Sequence, residues 1–78
     1  MNARRRKEIE KIADQVIALR EQLEELQEEE QECFDNLPEG FQESERGQAI
    51  EEAAATIEMA VGDLDTAIDA INECWEEH

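Results

Sequence analysis

The chain has little of what catalytic and metal sites are built from. Its 78 residues include one histidine, the terminal His78, and one serine, Ser44. Neither cysteine stands in a C-x-x-C motif or near a basic residue that would activate it. No glycine-rich phosphate loop is present, and the carboxylates match neither the calcium-loop nor the Glu-x-x-His di-metal spacing. The sequence therefore predicts a protein that is not an enzyme and binds no cofactor or metal.

Long hydrophobic runs and balancing positive charge are also missing. No apolar stretch approaches the span of about 20 residues that crosses a bilayer, and the charged start lacks the apolar region of a signal peptide. Residues 1–20 carry +3, whereas residues 21–78 contain one basic residue, Arg46, and carry −19. So negative a field repels nucleic acid and membranes and attracts basic protein surfaces. We expect a cytoplasmic protein with reduced cysteines and no direct contact with membrane or nucleic acid.

What the sequence does contain is a regular apolar pattern between Ile50 and Trp75. Two rows with a seven-residue period alternate at intervals of four and three, as in a helix that packs along another helix. A third row of small residues runs beside them. The rows are Ile50, Ile57, Leu64 and Ile71; Ala54, Val61, Ile68 and Trp75; and Ala53, Ala60, Ala67 and Cys74.

A first helix is predicted from about residue 3 to residue 34. Glu30 stands where its apolar pattern calls for another apolar residue. The seam is therefore predicted either to open to water near that turn or to meet a cation, for which Arg46 is the candidate. Both cysteines fall on apolar rows and are predicted to fill small spaces in the core. The two rows of this helix are Ile9, Val16 and Leu23, and Ile12, Leu19, Leu26 and Cys33.

Residues 35–43 form the predicted turn, because asparagine, proline and glycine fall within five residues. Leu37 and Phe41 are predicted to cover this end of the molecule. Ser44 is predicted to cap a second helix over about residues 44–77.

Two helices joined by so short a turn are expected to fold back antiparallel, as a single domain over residues 1–78. Charge favours the same arrangement, because it places the basic Arg4–Lys7 cluster beside an acidic cluster of Glu73, Glu76 and Glu77. The expected pairing sets Ile9 near Ile68 and Ile71, Val16 near Val61 and Leu64, and Leu23 near Ile57.

One seam between two helices leaves part of the apolar surface uncovered. The predicted fold is therefore an all-α, coiled-coil-like antiparallel two-helix hairpin that pairs into a dimeric four-helix bundle. A monomer with one wide apolar face is the alternative. The expected subunit contact consists of Ile17, Ala53, Ala60, Ala67 and Trp75.

The outward carboxylates form the candidate functional surface. Many stand three or four residues apart, where like charges destabilise a helix. Rows of carboxylates imitate nucleic-acid phosphates, so the expected partner is a basic, nucleic-acid-binding protein, with Arg46 helping to orient the contact. A solvated surface without a specific role is the alternative. The candidates, hereafter the acidic surface, are Glu21, Glu24, Glu25, Glu28, Glu29, Glu32, Glu51, Glu52, Glu58, Asp63, Asp65, Asp69 and Glu73, with Asn72 projecting outward beside them.

The chain combines an Arg/Lys-rich start and a Glu-rich first helix with the segments Asp35-Asn36-Leu37-Pro38-Glu39 and Gln42-Glu43-Ser44-Glu45-Arg46-Gly47. Over nearly its whole length it resembles a group of small uncharacterised acidic helical proteins from phages, prophages and mobile elements of Gram-positive and gut bacteria, and the turn segment is the most specific part of the resemblance. The group carries no activity that transfers onto individual residues. The resemblance implies a phage or mobile-element inhibitor that blocks a defence protein in the host cytoplasm.

Two other functions stay open on the sequence. One is an assembly or adaptor protein that binds a partner helix in an apolar groove that includes Phe41 and Trp75. The other is a sponge for a small anionic signal molecule held near Arg46. Salt distinguishes them from mimicry, because binding between opposite charges weakens steeply as salt rises and groove binding does not.

Overall fold

The computed structural model describes residues 2–76, and within that range it is helical with no strand. The helices are α1 (Ala3–Asp35), α2 (Glu39–Gln42) and α3 (Glu45–Glu76). Two helices of 33 and 32 residues placed end to end would extend for about 100 Å at 1.5 Å per residue. The molecule measures 59 × 14 × 12 Å, so α3 folds back along α1.

Side chains and backbone groups at the termini determine where α1 begins and ends. The Asn2 side chain accepts a hydrogen bond from the backbone N–H of Arg5 at 2.8 Å and caps the first turn. At the other end, the N–H of Asn36 donates to the carbonyl of Glu32 at 2.9 Å. Pro38, with its extended backbone, then prevents the helix from continuing.

The turn contains the short helix α2, and Ser44 caps α3 as predicted. The Ser44 hydroxyl accepts a hydrogen bond from the N–H of Gly47 at 3.2 Å. Gly47 is buried, and a Cβ added there would overlap the backbone carbonyls of Phe41 and Gln42. A glycine is therefore required at this position, where α2 and α3 meet. The Gln42 side chain donates to the carbonyl of Phe34 at 3.2 Å and ties the turn to the end of α1.

The apolar rows predicted for the second helix do face α1. Ala54, Val61 and Ile68 are buried, at 1%, 9% and 8% exposure. The rest of the two rows is half-buried, namely Ile50, Ile57, Leu64, Ile71 and Trp75.

The rows predicted for α1 are half right. Ile9, Val16 and Leu23 are half-buried against α3 as expected. The second row is not in the seam, because Ile12, Leu19 and Leu26 are 50%, 58% and 52% exposed and Cys33 is exposed.

The row one position further along α1 takes the place of that second row. Ala13 is only 2% exposed, and Arg20, Gln27 and Phe34 in the same row are half-buried. A small alanine leaves space for the branched side chains of α3, and the long stems of arginine and glutamine can lie along apolar surface while their polar ends reach water. The seam therefore includes polar residues that a count of apolar positions passes over.

Three smaller predictions are also wrong. Cys33 and Cys74 are both exposed, so they do not fill the core. Phe41 is 62% exposed and does not cover the end of the hairpin, although Leu37 beside it is half-buried. Asn72 does not project outward, because it is half-buried and accepts a hydrogen bond from the Trp75 indole at 3.1 Å.

Candidate interaction surfaces

One ion-pair cluster joins the two long helices at the middle of the hairpin. The Arg20 guanidinium donates from Nε to Asp65 Oδ1 at 2.8 Å and from a terminal nitrogen to Oδ2 at 3.2 Å. It also pairs with Glu24 one turn further along α1. The hydrogen bond to Asp65 is the main reason that the pKa of Arg20 is raised above its ordinary value. A bidentate arginine–carboxylate pair of this kind constrains the relative orientation of the two side chains in addition to pairing their charges.

Arg20 is a residue whose role sequence reasoning missed. Two features of the sequence could have indicated this role. Arg20 is the last basic residue before the acidic part of the chain, and it stands in the same heptad row as Ala13. The expected pairing of Val16 with Val61 and of Leu23 with Ile57 would set Arg20 opposite an earlier part of α3. The observed partner of Arg20, Asp65, lies roughly one and a half turns further along that helix.

This cluster defines the two flanks of the hairpin. Glu24 follows Leu23 of the seam by one position, and Asp65 follows Leu64 by one position. Because Arg20 bridges both carboxylates, the rows that follow the seam lie together on one side, hereafter the ion-pair flank. Those rows are Glu10, Ile17, Glu24 and Gln31 of α1 and Glu51, Glu58, Asp65 and Asn72 of α3.

The opposite side, hereafter the apolar flank, carries no charge in its two rows. These rows precede the seam by one position on each helix, which places them away from Arg20 and its partners. The α1 row is Ile12, Leu19, Leu26 and Cys33, and the α3 row is Ala53, Ala60, Ala67 and Cys74. All eight residues are exposed except Ala60, which is half-buried.

The structure does not bring the five predicted subunit-contact residues onto one surface. Ala53, Ala60 and Ala67 lie on the apolar flank, whereas Ile17 is half-buried on the ion-pair flank. Trp75 is half-buried in the seam and not on either flank.

The acidic surface is open to solvent along both helices. Twelve of its thirteen carboxylates are exposed, and Glu24 is half-buried beside Arg20. Two members, Glu24 and Asp65, pair with that arginine, and their side chains are 42% and 51% exposed. No other member pairs with a cation among the residues described. The surface therefore presents carboxylates that a partner's basic groups can reach.

Arg46 lies at the turn and not at a carboxylate in the seam. Within residues 2–76 it forms no ion pair, and Glu30, its predicted partner, is half-buried without a cation. Arg46 lines an open depression of about 400 Å³ together with Leu37, Pro38, Phe41 and Ser44. One cation in an open apolar depression is a weak basis for holding a small anion, which does not favour the sponge.

The basic cluster at the start of α1 is partly occupied by its own helix. Arg4 pairs with Glu8 at 3.9 Å, one turn away. Arg6 is half-buried, and its Nε has no hydrogen-bond partner among the residues that the structure describes. The predicted contact of this cluster with the side chains of Glu76 and Glu77 lies outside the described residues, as does His78.

Across the described part of the chain, no three His, Cys, Asp or Glu side chains gather closely enough to hold a metal ion. Nor does any helix there combine the length and hydropathy needed to cross a membrane. A comparison with protein-family models, with curated proteins and with solved structures finds no match to this chain.

Proposed function

We propose that this chain is a non-enzymatic interaction protein whose acidic surface occupies the nucleic-acid site of a basic partner protein. The observation that carries the proposal is the exposure of twelve of the thirteen carboxylates on a long, narrow hairpin. A surface built only for solubility would mix charges of both signs, as residues 1–20 do.

The linear charge of the hairpin is close to that of a nucleic-acid strand. Residues 2–76 contain 22 acidic and seven basic residues, which gives −15. Over the 59 Å length of the molecule this is one net charge per roughly 4 Å, against about 3.4 Å along one strand of DNA. A groove that grips phosphates therefore meets a similar charge density here.

The charge is greatest in the half of the hairpin that contains the turn. Residues 21–60 contain 14 acidic residues and one basic residue, which gives −13. Nine of the thirteen acidic-surface residues fall in this range, and Glu24 alone among them pairs with an arginine. We place the partner contact on this half, with Arg46 at its end.

The likeness to small phage and mobile-element proteins extends the proposal to an inhibitor of a host defence protein, active in the host cytoplasm. We further propose that the working form is a homodimer, a four-helix bundle made of two hairpins. The small core supports this, because Ala13, Ala54, Val61 and Ile68 are its only buried apolar residues within the described range. A helical pair with so little buried apolar area gains stability from a second copy.

The experiment is competition with nucleic acid. The chain is immobilised, exposed to extract of the natural host at low salt, and washed with duplex DNA before a salt gradient. Mimicry predicts that the retained protein is displaced by DNA and that its affinity falls steeply as salt rises.

Two variants with the same net charge show whether position matters. The first carries Glu28→Gln, Glu29→Gln and Glu32→Gln in the turn half; the second carries Glu8→Gln, Glu10→Gln and Asp14→Asn near the start. We expect the first to lose affinity for the retained protein and the second to keep it. Retention that DNA cannot displace, or equal effects of the two variants, would contradict the proposal.

A partner helix on the apolar flank is the second candidate, and the exposure of Ile12, Leu19 and Leu26 favours it. An amphipathic partner helix would bury these residues in a salt-insensitive contact. The Glu28, Glu29 and Glu32 substitutions would leave such binding intact, whereas Leu19→Lys would abolish it.

A further inference from the structure

We propose that a second copy of this chain covers the apolar flank and runs antiparallel to the first, with the turn of one hairpin beside the open end of the other. The inference rests on the proposed dimer and specifies its surface and orientation. Its test is independent of the basic partner, so the failure of one proposal is distinguishable from the failure of the other.

The apolar flank is the surface of the hairpin that most needs a cover. Ile12, Leu19 and Leu26 are three of the five large apolar side chains that are exposed among the residues described. They stand in one straight row, and the alanine row of α3 lies beside them. Small side chains in the neighbouring row let a partner backbone approach closely, so large residues of one copy can pack over alanines of the other.

Electrostatics allow a second copy to pack on the apolar flank and disfavour its packing on the ion-pair flank. The ion-pair flank contains five carboxylates in its two rows, and two copies meeting there would repel. The apolar flank contains none. Asp63 is the one carboxylate that borders its centre, and two more lie toward its ends. The rows just outside it are Glu8, Gln15, Gln22 and Glu29 on α1 and Ala49, Thr56, Asp63 and Ala70 on α3.

The uneven charge along the hairpin selects the antiparallel orientation. The turn half, residues 21–60, carries −13, whereas the open half, residues 1–20 and 61–78, carries −3. A parallel dimer sets −13 beside −13. An antiparallel dimer sets each turn half beside the weakly charged open half of its partner, where Arg4–Lys7 provides four basic side chains.

The positions of the two cysteines agree with one antiparallel register. A two-fold axis midway between the heights of Leu19 and Ala60 sets Leu19 of one copy level with Ala60 of the other. Cys33 follows Leu19 by 14 positions, and Cys74 follows Ala60 by 14 positions. The same axis therefore brings Cys33 level with the partner's Cys74.

The first part of the test measures mass by sedimentation equilibrium over a range of concentrations. We expect a dimer, and we expect Leu19→Lys to raise its dissociation constant by at least about 100-fold, because an unpaired ammonium would be buried at the centre of the contact. Met59→Lys is the matched control: it makes the same charge change at a residue that is 70% exposed and on neither flank. A monomer at every concentration, or equal effects of the two substitutions, would overturn the proposal.

The second part determines orientation by cross-linking the cysteines with a short bis-maleimide, whose span tolerates the ~8–10 Å spacing of neighbouring helices. Both cysteines are exposed, so Cys33→Ser and Cys74→Ser leave the hairpin intact. If the dimer is antiparallel, the wild-type protein cross-links and neither single variant does so alone. A mixture of the two single variants cross-links again. Each bond then joins Cys33 of one copy to Cys74 of the other.

Three outcomes of the cross-linking overturn the antiparallel dimer. Cross-linking within either single variant would show like cysteines level with each other, as in a parallel dimer. A dimer that does not cross-link would place the cysteines at different heights. A ladder of larger species would show an open-ended contact instead of a closed two-fold one.

Discussion

The two long helices differ in how much of their apolar surface the hairpin covers. In α3, both rows of the predicted seam are buried or half-buried, and the large apolar residue left most exposed is Met59, which belongs to neither. In α1, the row of Ile12, Leu19 and Leu26 stays open, and Ala13 and Arg20 face α3 in its place. The hairpin thus covers both apolar rows of α3 and leaves one apolar row of α1 open to solvent.

The difference shows that a row of apolar residues predicts a surface that becomes buried, but not the element that buries it. Because α1 has apolar residues in neighbouring rows, it can turn either pair of rows toward α3. The rotation seen here lets Arg20 reach Asp65 on the ion-pair flank. The four predictions below test how the two long helices pack on each other, and all unfolding measurements are compared at one protein concentration, since association changes apparent stability.

The largest effect is expected from Ile68→Ala. This side chain is 8% exposed against α1, and its truncation should lower the free energy of unfolding by about 2–4 kcal/mol, through lost burial and the cavity left behind. Urea denaturation measures it. Met59→Ala in the same helix, at 70% exposure, should change stability by less than about 0.5 kcal/mol. Equal losses would mean that α3 does not pack through its predicted seam.

Ala13→Leu tests which row of α1 meets α3. Ala13 is 2% exposed, so a larger side chain should overpack the seam and lower the free energy of unfolding by about 1–3 kcal/mol. The control is Ala18→Leu, at an exposed position of the same helix, which should be close to neutral. If Ala13→Leu stabilised the chain, α1 would have to face α3 with another row.

Gly47→Ala tests the junction that sets the position of α3 beside α1. The added methyl group would overlap the carbonyls of Phe41 and Gln42, and we expect a loss of about 1–2 kcal/mol after the gain in helix propensity. Gly62→Ala is the matched control, because nothing lies within 4 Å of a Cβ there. It should stabilise α3 by about 0.5–1 kcal/mol in thermal unfolding. Stabilisation by both substitutions would rule out the tight junction.

Arg20→Gln is expected to have the smallest effect. It removes the pairs with Asp65 and Glu24, but those carboxylates are about half exposed, so the loss of stability should be the smallest of the four at low salt and smaller still at high salt. Arg4→Gln makes the same charge change at an arginine with one loose pair at 3.9 Å and should be silent. A loss with Arg20→Gln that did not shrink with salt would mean that the side chain acts by packing alone.

Much of the fold could be predicted because its signals are local. The four-and-three spacing from Ile50 to Trp75 predicts α3 and its buried face, the turn residues around Pro38 predict where the chain reverses, and Ser44 predicts the cap. The rotation of α1 could not be predicted from apolar spacing, because it depends on a tertiary contact that places a half-buried arginine in the seam.

The candidate surfaces divide in the same way. Exposure of the carboxylates follows from their position outside the apolar rows, and the structure gives it for twelve of thirteen. The ion-pair flank could not be foreseen, because it requires the register between Arg20 and Asp65, which are 45 positions apart in sequence. The partner of the acidic surface stays a proposal, since charge predicts a class of partner and not its identity.

The most direct test of the account is the solvent accessibility of individual methyl groups in the Leu19→Lys variant, measured by NMR with a soluble paramagnetic probe. This substitution would break the proposed dimer and isolate the hairpin, so the packing of the hairpin alone decides which methyl groups the probe reaches. We predict strong broadening for Ile12 and Leu26 and little for Leu23 and Leu64. Protection of Ile12 and Leu26 in this monomer would show that α1 packs on α3 through the row described here as open, and would contradict the account.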